Sequence, residues 1–119
     1  MPIFFRDVSH HPERAMQIYL VLIGLAYNRQ TVTYGRLSID QLKYGDGGIL
    51  AAPLERIMKW CQRHSLPPLT ALVVNEETGE PGEGLTTVAD RNWPLAFKRV
   101  FDFDWFSVMP PTLEDLAQT

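Results

Sequence analysis

The chain has one cysteine, Cys61, in 119 residues, so no disulfide can form within it and a reducing compartment is expected. It also lacks a long hydrophobic run. The strongest, residues 16–27, covers 12 positions and is interrupted by Gln17 and Gly24, well short of the roughly 20 that a membrane helix needs. The opening Met1-Pro2-Ile3-Phe4-Phe5-Arg6-Asp7 has no cationic start leading into an apolar stretch and a small-residue cleavage site. A soluble cytoplasmic protein, away from membranes, is the expectation. Positive charge is not in excess either. Eleven Lys and Arg against 14 Asp and Glu leave a net charge of -3, which excludes a generally basic nucleic-acid binder.

What remains is ordinary globular composition. With 45% hydrophobic and 21% charged residues, disorder across the whole chain is excluded. The length fits a single domain, 1–119, that buries about two-thirds of its unfolded surface and needs no metal to fold. Residues 1–11 read as an N-terminal arm and 110–119 as a C-terminal tail.

Periodicity predicts a first helix over 12–28, with Ser9 as a cap and Pro12 and Glu13 in its first turn. Met16, Tyr19, Leu20, Ile23 and Tyr27 recur at helical spacing, and Ile18, Val21, Leu22 and Leu25 fill the other faces. A helix apolar nearly all round belongs at the centre of a core or against a partner subunit, and the first option is favoured. Thr33 is placed to cap a short second helix over 34–44, with Leu37 and Leu42 inward, before the Gly45-Asp46-Gly47-Gly48 turn. A third helix runs from Ile49, or from Pro53, to His64. Leu54, Ile57, Met58 and Cys61 form its apolar stripe, and Arg56, Lys59 and Arg63 a cationic stripe on a different face.

Leu66-Pro67-Pro68 stops that helix, and residues 69–74 read as a β-branched, apolar strand. A polar loop over 75–84 leads to a return strand over 85–88, which together make a hairpin with a long tip. Asn92 or Trp93 caps a fourth helix over 94–101. Residues 101–106 alternate aromatic and acidic side chains as a half-buried extended segment would, until Trp105 and Phe106 fall side by side. Pro110-Pro111 ends it, and Thr112 is placed to cap a terminal turn through Leu116.

This order of elements is the layout of a winged helix-turn-helix, with the hairpin as the wing. Val32-Thr33-Tyr34-Gly35-Arg36-Leu37 resembles the segment that opens the helix-turn-helix in alkylguanine DNA alkyltransferases and alkyltransferase-like proteins. Leu66-Pro67-Pro68-Leu69, a strand and a Gly-rich turn follow in the same order, so the resemblance covers residues 12–84. It implies a shared scaffold and an affinity for DNA. It does not imply alkyl transfer. Where that family carries a Pro-Cys-His-Arg segment, this chain has Thr70-Ala71-Leu72-Val73-Val74, and Cys61 sits on the apolar stripe as core filling. The fold class expected is α+β, winged-helix-like: a three-helix core, a β-hairpin wing, and a C-terminal helix with an aromatic extended segment.

Two functions compete for the surface residues. In the leading one, a non-enzymatic DNA-binding or DNA-transaction accessory module, Arg36, Arg56, Lys59 and Arg63 contact phosphates and Tyr34 and Trp60 stack or pack. The loop argues against it, because Glu76, Glu77, Glu80 and Glu83 would repel a phosphate backbone. In the alternative, a small inhibitor or immunity-type protein covers a basic partner through those four glutamates, with Trp60 as an aromatic anchor. Trp93 and Trp105 are assigned to the core. Neither His10-His11 with Glu13 nor Cys61 with His64 has the spacing of a metal signature, and neither glycine turn follows the strand-to-helix pattern of a phosphate loop. No cofactor, metal or catalytic residue is expected. The apolar first helix and the aromatic C-terminal segment leave room for a homodimer.

Overall fold

The computed structural model describes residues 11–42 and 50–119. The expectations for Ser9, Tyr44, the 45–48 turn and Ile49 lie outside these residues, as do the His10 and His11 side chains. Helix α1, His11–Tyr27, forms the centre. Ala15, Ile18, Tyr19, Leu22 and Ala26, spaced three and four apart, are sealed in the core, while Met16, Val21, Ile23 and Leu25 are half-buried around them. Leu20 and Tyr27, two turns apart, face outward.

The turn after α1 places Arg29 at φ 55°, a left-handed conformation usually given to glycine. Its side chain compensates. The guanidinium lies 5.5 Å from the centre of the Phe101 ring and donates to Asp102 at 3.0 Å, tying this turn to a later helix. Lys98 donates to the same carboxylate, and the two cations hold the Asp102 carboxyl below its ordinary range.

Strand β1, Val32–Thr33, follows, and the Thr33 hydroxyl accepts from the Arg36 N–H at 3.2 Å. The expected second helix is wound wider than an α-helix over Arg36–Gln41, with Leu42 N–H donating to the Leu37 carbonyl five residues back. Leu37 and Leu42 point inward as expected. Helix α2, Ala51–Arg63, buries its whole expected stripe of Leu54, Ile57, Met58 and Cys61. It ends where Ser65 takes φ 56° and Leu66 N–H reaches back to the Cys61 carbonyl at 2.9 Å.

The hairpin differs from expectation. Leu69–Leu72 is a buried 3-10 turn, closed by Ala71 N–H donating to the Pro68 carbonyl, and only Val73–Val74, β2, is extended. A short apolar run without alternation does not separate a strand from a buried turn, and here Pro67-Pro68 sets up the turn. β2 pairs in parallel with β1, Val32 opposite Val73 and Thr33 opposite Val74, which the α2 crossover between them permits. Residues 85–88 form no strand. The chain instead makes a single antiparallel bridge between Val74 and Pro81.

Helix α3, Trp93–Asp102, starts as its sequence dictates: the Asn92 side chain accepts from Leu95 N–H at 3.3 Å, and Pro94 occupies the first turn. The aromatic segment is only partly extended. Phe103 is in the β region, but Asp104 then caps a 3-10 turn over Trp105–Ser107. Trp105 is buried and its Nε1 donates to the Val100 carbonyl at 2.9 Å. Thr112 and Asp115 form a reciprocal capping box at the start of the last helix, α4, Leu113–Ala117. Its Leu116 is fully buried, in a helix packed on both α1 and α2. The result is a compact α+β fold in which helices surround α1 and a two-stranded parallel sheet closes one side.

Candidate functional site

The residues expected to bind DNA do not share one fate. Arg56 is half-buried, and its Nη1 donates to the carbonyls of Leu116 at 2.8 Å and Ala117 at 3.1 Å, so its charge-bearing group closes the end of α4. Lys59 is exposed but pairs with Glu55 at 3.1 Å, one helical turn away. Arg63 and Arg36 are exposed. Arg63 and His64 add to the hydrogen bonds from Thr112 that hold the Asp115 carboxyl below its ordinary range. Tyr34 is half-buried on the opposite end of α2 and faces the loop after β2.

Trp60 is 3% exposed, which places it in the core and leaves it no surface to offer a partner. Its indole meets the Tyr19 ring edge-on at 5.6 Å and lies 5.4 Å from His64. Cys61 is buried as well, and burial pushes its thiol up to about 12, so it stays protonated. Among the described residues no group of three His, Cys, Asp or Glu side chains gathers as a metal site would require, and no helix is long and apolar enough to cross a membrane.

The acidic loop is ordered by its own backbone. Gly79, at φ 69°, donates to the Asn75 carbonyl at 2.8 Å, Asn75 N–H donates to the Glu80 carbonyl at 2.9 Å, and the Thr78 hydroxyl accepts from Glu80 N–H. Glu76, Glu77, Glu80 and Glu83 are all exposed, and none of them enters an ion pair among the described residues. The loop is thus a braced display of carboxylates.

Behind the loop lies a groove that the sequence did not flag. It has a volume of about 850 Å³ and runs between the start of α2, Tyr34 and the segment carrying Gly82, Gly84 and Leu85. Leu54 and Met58 contribute apolar walls, and Asn75 contributes a polar one. Thr70 borders the groove but is 7% exposed, and its hydroxyl oxygen is enclosed with no hydrogen-bond partner among the described residues. The Tyr34 hydroxyl accepts from Gly82 N–H at 3.2 Å and holds the loop against the sheet. A Cβ on Gly82 would come within 2.4 Å of that hydroxyl, so glycine is what lets the ring approach. Glu55 and Glu83 line the groove too, and among the described residues no Lys or Arg does. The available signal was Thr33-Tyr34-Gly35 together with Gly82 and Gly84, but their meeting depends on the parallel pairing of β1 and β2.

The aromatic surface that left room for a homodimer reduces to a few side chains. Tyr27, 73% exposed, packs edge-on against Phe106, 64% exposed, at 5.6 Å. No protein family, curated protein or solved structure matches this chain.

Proposed function

We propose that this chain is a non-enzymatic protein-binding module that presents residues 76–83 to a basic surface of a partner, in the manner of a small inhibitor or immunity-type protein. One observation carries the reading: four exposed carboxylates that enter no ion pair among the described residues stand on a loop braced by its own backbone bonds. Such a cluster steers a cationic partner and, being held in place, loses little freedom on binding. The competing DNA reading keeps Arg36 and Arg63 as exposed cations, but Arg56 is engaged by α4 and Lys59 by Glu55.

The test has two arms. Replacing Glu76, Glu77, Glu80 and Glu83 together by lysine is expected to abolish capture of partners by the immobilised protein, with an unchanged melting temperature. Capture that survives charge reversal reduces the loop to a solubilising tip. In parallel, fluorescence anisotropy with labelled duplex and single-stranded DNA is expected to show no binding at about 50 mM salt, where phosphate-driven affinity is strong. Micromolar binding that weakens by 200 mM salt, about the range over which such affinity collapses, would return the assignment to DNA.

A further inference from the structure

We propose that the groove behind the acidic loop is a recognition site for a short extended peptide segment in which apolar and cationic side chains alternate. The inference rests on the protein-binding reading and names what the partner inserts. The volume of about 850 Å³ is in the range of sites that enclose a ligand of a few residues, not of a surface ripple. Its charge chooses the ligand. Among the described residues Glu55 and Glu83 are the charged groups that line it, and both are negative. Lys59 contacts Glu55 from along the helix, in an exposed pair of the kind that holds weakly and yields to a better-placed cation.

The apolar lining sets the second requirement. Leu54, Met58 and Leu85 offer burial to an aliphatic side chain, with Met58 able to adjust its shape. An extended chain sends successive side chains to opposite sides, so alternation places one set on the apolar wall and the other toward the carboxylates. The backbone of the segment also finds a partner. The Tyr34 hydroxyl accepts from Gly82 N–H and still has its own proton to donate to a peptide carbonyl. Gly84, with open space where a side chain would stand, leaves the loop backbone accessible. An acidic ligand, or a phosphate backbone, would meet two carboxylates, of which Glu55 alone has a cation, Lys59, beside it among the described residues.

The test uses two capped hexapeptides, one alternating leucine and arginine, the other alternating leucine and glutamate, titrated into the isotopically labelled full chain and followed by amide NMR shifts. The expected result is saturable shifts at Tyr34, Thr70, Gly82 and Gly84 with the arginine peptide, and none with the glutamate peptide. The double variant Glu55→Gln/Glu83→Gln removes both charges at exposed positions and is expected to bind about tenfold more weakly, a loss typical of contacts to partly exposed charges. Gly82→Ala, which displaces the Tyr34 ring without straining the backbone, is expected to lose the saturable shifts while the rest of the spectrum is retained. Equal response to both peptides would overturn the charge argument, and no response to either would overturn the site. Shifts confined to residues 76–80 would overturn the groove while leaving the acidic loop as the binding surface, and only the four-glutamate reversal tests that loop.

Discussion

The two faces of α2 are built on opposite terms. On one, Trp60 is sealed against Tyr19, and Arg56 reaches across to the last carbonyls of α4. On the other, Ala51, Leu54 and Met58 look into an open groove whose far wall comes from Tyr34 and the loop after β2. The sequence pattern points the other way, because arginine and tryptophan are the residue types associated with recognition. What decides is the neighbouring chain. A five-residue helix leaves its terminal carbonyls unpaired, and the nearest guanidinium is drawn to them. Among the described residues no such carbonyls meet the other face, which borders the groove.

Breaking the closed face should have the largest effect. Trp60→Ala removes a buried indole from between Tyr19 and His64 and is expected to cost about 3–5 kcal/mol, the range for large aromatic truncations in cores. Urea denaturation measures this as a fall in the midpoint. A loss below about 1 kcal/mol would mean that the indole is at the surface and available to a partner after all. Arg56→Ala should come next, at about 1–2 kcal/mol, because it removes the charged donor from the exposed Ala117 carbonyl and from the Leu116 carbonyl, which keeps the Thr119 hydroxyl. The same measurement on Arg63→Ala, an exposed neighbour, should move by no more than about 0.5 kcal/mol. Equal effects at 56 and 63 would show that α4 does not hold Arg56, and would restore the continuous cationic stripe.

This contrast also shows what the sequence can carry. Local rules were legible: the caps at Asn92 and Thr112, the apolar stripe of α2 and the limits of α1 depend on residues within a turn or two of each other. What failed depends on distant partners. Nothing near Arg56 announces that residues 116 and 117 will sit on it, and nothing near residues 69–74 announces that they will pair with Val32 and Thr33 across α2. The run Thr70-Ala71-Leu72 is apolar enough for a strand, and only the preceding prolines favour a 3-10 turn. The groove shares that origin. Tyr34 and Gly82 are 48 residues apart, and their contact follows from the parallel register rather than from any motif.

The smallest expected effect sharpens the comparison most, because its sign is opposite. Thr70 borders the groove with a hydroxyl that is enclosed and unpaired, a state that costs stability relative to an apolar group of the same shape. Thr70→Val keeps the shape and removes the oxygen, so it is expected to raise stability by about 1 kcal/mol, visible as a higher urea midpoint with an unchanged slope. On the closed face of α2 the Arg56 guanidinium is satisfied by the Leu116 and Ala117 carbonyls, and removing it weakens the fold. On the groove face, the Thr70 hydroxyl is enclosed, so it weighs on stability and offers a ligand nothing. The valine variant should therefore be more stable and bind the arginine peptide as well as before. If it is less stable, the hydroxyl is paired within the fold and the groove wall is as self-contained as the α4 junction. If it is more stable but binds more weakly, the ligand reaches the hydroxyl, and Thr70 joins the carboxylates and Tyr34 in recognition.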